Sequence, residues 1–140
     1  VTAELVRVEQ WIYQTLSADP TITGVVGSRI YADVAPQGAT FPLVLFAHIG
    51  NVDVVRAWNN GRMAKNIFLV RVVGTGNSVT GSLKTVADRF DPLLLKQNII
   101  IDGVRIAYVQ HDQHSIRKDS ENGVPMSYVG SYYLIFSQPA

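Results

Sequence analysis

Apolar positions along the chain recur first with helical spacing and later with the period of extended strands. Leu5, Val8, Ile12 and Leu16 lie three or four apart, with Glu4, Arg7, Glu9, Gln10 and Gln14 between them. This predicts an amphipathic helix from about Thr2 to Ser17, with Thr2 as N-cap and Glu4 at the positive end of the helix dipole. Asp19-Pro20 ends it, since the residue before a proline is pushed out of helical geometry. Gly24 and Gly27 then mark a turn, with a short helical piece around Ile22 to Val26. Arg29-Ile30-Tyr31 is a short extended segment leading to Ala35-Pro36-Gln37-Gly38.

Leu43 to Ile49 is a dense apolar run bounded by Pro42 and Gly50-Asn51, which reads as a strand. Ile67 to Val73 is another. Its two alternating sets, Phe68, Val70 and Val72 against Ile67, Leu69 and Arg71, are both largely apolar, which suggests cover on both sides, by helices on one and a neighbouring subunit on the other. Gly74 to Ser78 turns the chain into a second helix carrying Val79, Leu83, Val86, Ala87 and Phe90, with Ser78 as N-cap and Asp91-Pro92 restarting a last turn through Leu95. Ile99 to Ile101, Asp102-Gly103 and Val104 to Gln110 predict a tight hairpin. A polar stretch, His111 to Gly123, precedes a last strand, Tyr128 to Phe136, with Tyr128, Tyr132, Leu134 and Phe136 on one face and an interruption at Gly130. The expected fold is α+β: a single domain over residues 1–140, with a mostly antiparallel sheet and two main helices packed on one face.

Composition narrows the function. Charged residues are 16% of the 140, against a usual share of about 25%, and the net charge is +1 without any block of like charge. The footprint of a nucleic-acid binder is missing. Without Cys there is no disulfide scaffold, zinc ribbon or thiol nucleophile. No apolar run approaches the roughly eighteen residues of a membrane-spanning helix, and the first residues lack the pattern of a signal peptide, so synthesis in a cytoplasm is expected.

Candidate chemistry is thin. Gly74-x-Gly76 lacks the third glycine of a dinucleotide fingerprint and has no Gly-Lys-Ser/Thr, so it reads as a turn. His111 and His114 flank Asp112, but at a strand end alternation sends positions 111 and 114 to opposite faces, and Asp119 and Glu121 have no ordered ligand spacing. His48 reads as a structural or subunit-contact histidine. No serine sits in a nucleophile elbow, so no catalytic, cofactor or metal residues are expected.

Segment 51–66 is the most informative polar stretch, because it is far longer than the two-residue turn that could join its strands. It carries Val54, Val55, Arg56, Trp58, Asn59, Arg62 and Met63 as candidate interface residues, since exposed Trp, Arg and Met are enriched where proteins meet. The competing reading folds Trp58 onto its own core and makes Asn60-Gly61 a local hairpin turn. Segment 115–125, with Arg117 and Lys118, is a second candidate contact loop, against a plain solvated loop.

The helix followed by Arg29-Ile30-Tyr31, and then Pro36-Gln37-Gly38-Ala39-Thr40-Phe41-Pro42-Leu43-Val44, resembles the tail-completion (tail terminator, or head–tail joining) proteins of long-tailed phages. The order of later elements fits the same family over nearly the whole chain. The resemblance implies a non-enzymatic virion protein, assembled in the host bacterial cytoplasm, that forms a ring of copies of itself, usually six. That ring would cap the major tail tube protein and present a docking face to the head connector or head-closure protein, with DNA only passing through its channel and no membrane or cofactor involved. A head-closure or minor tail protein is the neighbouring possibility. A small-ligand-binding domain or enzyme, centred on His48 or on His111 with Asp112, is the one of a different class.

Overall fold

The computed structural model describes residues 3–55, 62–75, 81–121 and 123–139. Helix α1 (Ala3–Ser17) buries Leu5, Val8, Ile12 and Leu16 as the spacing predicts, and adds Trp11 to the same stripe. The break at Asp19 is immediate. Asp19 caps helix α2 (Pro20–Val26) by accepting a hydrogen bond from the Ile22 amide at 3.3 Å, with Pro20 at the helix start, where a missing N–H costs nothing.

Strand β1 (Ile30–Ala32) is followed by β2 (Leu43–Val55), β3 (Arg62–Thr75), helices α3 (Gly81–Asp88) and α4 (Phe90–Leu94), and strands β4 (Gln97–Ile101), β5 (Val104–Glu121) and β6 (Val124–Pro139). They form one six-stranded mixed sheet in the order β1-β2-β3-β6-β5-β4, in which β1 runs parallel to β2 and the other neighbours are antiparallel. The α+β class is as expected. Two short helices, α2 and α4, accompany α1 and α3, where the sequence predicts a helical piece around Ile22 to Val26 and a restarted turn at Asp91-Pro92. The Asp102-Gly103 turn has positive φ at both residues, as the β4–β5 hairpin requires.

Two expected loops are strand instead. Most of segment 51–66 belongs to β2 and β3, which pair from Leu43↔Val73 out to Val55↔Arg62. His111 to Glu121 likewise continues β5, paired with β6 as far as Glu121↔Val124. Polar side chains hid these extensions, because an edge strand needs apolar residues only where it is covered. The N-caps expected at Thr2 and Ser78 lie outside the described residues.

The core lies between the helices and one face of the sheet. Phe46, Phe68, Val70, Val72, Ile106, Val129, Tyr133 and Ile135 meet Val8, Ile12, Leu16, Ile22, Val86, Phe90 and Leu94 there. On the opposite face, at one end, segment 33–42 folds across Leu43, Val73, Met126 and Tyr128 through Ala35, Ala39 and Phe41. Arg29 latches this segment: its Nε donates to the Pro42 carbonyl at 2.9 Å and its Nη2 to the Val25 carbonyl at 3.4 Å. Gly130 is required by close approach, since a Cβ there would collide with the Val70 carbonyl oxygen and the Arg71 backbone.

Candidate assembly surface

Beyond segment 33–42, the face turned away from the helices is a broad apolar surface. Cross-strand register places Ile67 beside Leu134 and Leu69 beside Tyr132, with Gln110 and Gln113 as their neighbours on β5. Phe136 stacks on Tyr108 with ring centroids 4.3 Å apart. Leu69 and Phe136 are nearly buried, Ile67, Tyr132 and Leu134 are half-buried, and Tyr108 is 42% exposed. Lower on this face, the Arg71 and Arg117 guanidinium carbons lie 4.8 Å and 5.6 Å from the centre of the Tyr128 ring. Such cation–π contacts leave both positive charges beside an aromatic plate at the rim of the segment 33–42 cluster.

The residues singled out in the sequence scatter along this sheet. Val54 and Val55 lie in β2 opposite Met63 and Arg62 of β3, at the far end of the β2–β3 hairpin. Met63 is buried within the subunit. Arg117 and Lys118 lie in β5 opposite Tyr128 and Ser127, near the other hairpin end, with Arg117 exposed. The two groups therefore occupy opposite ends of the long strands. Arg56, Trp58 and Asn59 lie outside the described residues. The outer-face residues Tyr132 and Leu134 were grouped correctly on one face by their period. Tyr108 joins them only because the register shifts between Ile106 and Tyr108, which no local pattern announces.

The histidines differ from expectation. Positions 111 and 114 share a face, with ring centroids 4.6 Å apart, because β5 bulges at Asp112 between His111↔Tyr133 and Gln113↔Tyr132. His114 Nδ1 lies 3.1 Å from Ser131 Oγ, and the Tyr133 hydroxyl donates to Asp91 Oδ1 at 2.6 Å. Burial, then the hydrogen bond to Asp91, hold the Tyr133 phenol well above its ordinary pKa, so it stays protonated and serves as a donor tying β6 to α4. Among the described residues, no group of three His, Cys, Asp or Glu side chains is placed to hold a metal ion. The arrangement supports packing and hydrogen bonding.

A second polar tie sits between the helices. Arg89 Nε and Nη2 donate to Asp19 Oδ2 and Oδ1 at 3.2 and 3.1 Å, a two-pronged pair that fixes the α2 cap to the α3–α4 junction. The hydrogen bond to Asp19 and its charge raise the Arg89 pKa further.

No curated protein sequence matches the chain. Among solved structures, one chain of the virion of a native gene transfer agent particle superimposes with a TM-score of 0.72 at 14% identity, covering 98% of this chain and 99% of that one. At that identity the likeness establishes the fold. The family model described as "Tail completion protein gp17" matches residues 10–126, a span that includes the Arg29 latch, the Phe41-Pro42 entry to β2 and most of the sheet. With the fold, the latch and that match in agreement, the chain belongs to the tail completion protein family and is a phage tail structural protein.

Proposed function

We propose that this subunit assembles with copies of itself into a ring, of six by the family resemblance, that ends the tail tube and joins the tail to the head connector. The observation that carries the reading is the outer sheet face. In a lone subunit Ile67, Tyr132, Leu134 and Tyr108 remain partly open to water there, although they sit in long, paired strands. A contiguous apolar face of this kind marks a protein–protein contact. Its partners would be neighbouring subunits, the major tail tube protein and a connector or head-closure protein, with DNA passing through the channel and assembly taking place in the host cytoplasm. Near-neutral charge suits a conduit that DNA must cross without being held. The candidate interface residues at the two hairpin ends, Val54, Val55 and Arg62 at one and Arg117 and Lys118 at the other, would serve contacts above and below the ring.

The test is electron microscopy of particles from the parent phage with this gene disrupted. Tailless heads beside separate, overlong tails are expected, because only loss of a step that both stops the tube and joins it produces both. Heads without portal closure beside tails of normal length would move the assignment to a head-closure protein.

A further inference from the structure

We infer that the subunits of this ring meet edge to edge, the uncovered stretch of β2 in one copy pairing antiparallel with the uncovered stretch of β5 in the next, so that their sheets become continuous. The inference rests on the ring reading and names the contact that builds it.

The two outermost strands of the sheet are too short to cover their neighbours. β1 borders β2 only from Val44 to Phe46, and β4 borders β5 only from Val104 to Tyr108. No strand among the described residues borders β2 from Ala47 to Val55, or β5 from Val109 to Ile116, on that side. A bare strand edge offers backbone donors and acceptors to another chain, and soluble proteins usually blunt it with charge. Here each open stretch carries one acidic residue, Asp53 or Asp112, and also presents a large apolar residue, Ile49 at 55% exposure on β2 and Ile116 at 63% on β5.

Direction and location agree with a head-to-tail contact. Counting through the antiparallel neighbours β2, β3, β6 and β5, strand β5 runs opposite to β2. A rotated copy laid beside the first therefore brings β2 against β5 antiparallel and preserves the alternation through every junction. Because the two edges are different surfaces on opposite sides of the subunit, the contact is heterologous, the kind that makes a ring when its rotation closes.

The absence of native Cys makes the test direct. Ile49→Cys is combined in turn with Gln110→Cys, Gln113→Cys or His114→Cys, which sample both faces of β5, and the full-length chain is oxidised under native conditions. At least one double variant is expected to give a ladder of covalent oligomers ending at the ring size. Each single variant should give none, and mixing the two corresponding singles should give dimers alone. Circular dichroism melting of each variant checks that the subunit remains folded. Rings seen by native mass measurement without any cross-link, or cross-linked dimers from a single variant, would overturn the edge contact and leave the ring reading standing. A folded chain that stays monomeric and does not cross-link would overturn both. As a second arm, Ile49→Lys or Ile116→Lys should abolish rings while leaving a subunit that circular dichroism shows to be folded and to melt cooperatively.

Discussion

The two faces of the sheet are built from similar apolar side chains but meet different surroundings. On the helix side, Phe68, Val70, Tyr133 and Ile135 are fully enclosed by α1 to α4. On the other side, segment 33–42 covers the end around Leu43, Val73 and Tyr128, Leu69 and Phe136 are buried, and Ile67, Tyr132, Leu134 and Tyr108 stay partly open to water. On the proposed reading the difference separates folding from assembly within one sheet: enclosed residues on the helix face stabilise the subunit, and the partly open residues of the outer face and strand edges serve contacts with a neighbour.

Substitutions can break that distinction. The largest effect is expected from Phe68→Ala, which removes a fully buried ring from the helix face and should cost about 3–5 kcal/mol in urea unfolding. A loss below about 1 kcal/mol would mean that the helix layer does not enclose this position. Asp19→Ala should cost about 1 kcal/mol from the lost α2 cap, and it also removes the two-pronged pair with Arg89. Asp19→Asn separates the two parts, because it keeps an acceptor for the cap and removes the charge.

Leu134→Ser, on the outer face, should lower subunit stability by only about 1 kcal/mol while strongly weakening self-association measured by sedimentation. The comparison would collapse if Leu134→Ser unfolded the subunit as severely as Phe68→Ala.

The smallest effect concerns pH. Partial burial, then the nearby Asp33 carboxylate, raise the Glu9 pKa above the ordinary carboxyl range, against a lowering influence from His48. A carboxyl raised in the folded state contributes stability below its unfolded pKa and loses it as pH rises through the folded value. Glu9→Gln should therefore leave stability unchanged in acid and increase it by a few tenths of a kcal/mol near neutral pH. An increase of the same size in acid would assign the effect to packing.

Much of the architecture follows from local pattern. The stripe Leu5, Val8, Ile12 and Leu16 gives α1, Asp19-Pro20 gives the helix break, and Asp102-Gly103 gives the β4–β5 turn, because each depends on neighbours a few residues away. Family membership was also legible, in the residues from Arg29 to Val44. Their structural work is visible only in the fold, where Arg29 holds the Pro42 carbonyl and Tyr31 and Phe41 pack under segment 33–42.

What tertiary structure decided are the features that depend on strand partners. Segments 51–66 and 111–121 look like loops because polar residues fill them, yet pairing with β3 and β6 makes most of their length strand. Alternation separates His111 from His114, and a single bulge at Asp112, present only because β6 fixes the register on either side, brings them together. The sequence by itself determined which residues are apolar and at what period, since backbone geometry translates those directly into helices, turns and strand faces. Which apolar face the helices cover, and which edges stay open for another copy, depends on how distant strands order themselves, and no stretch of the chain carries that information locally.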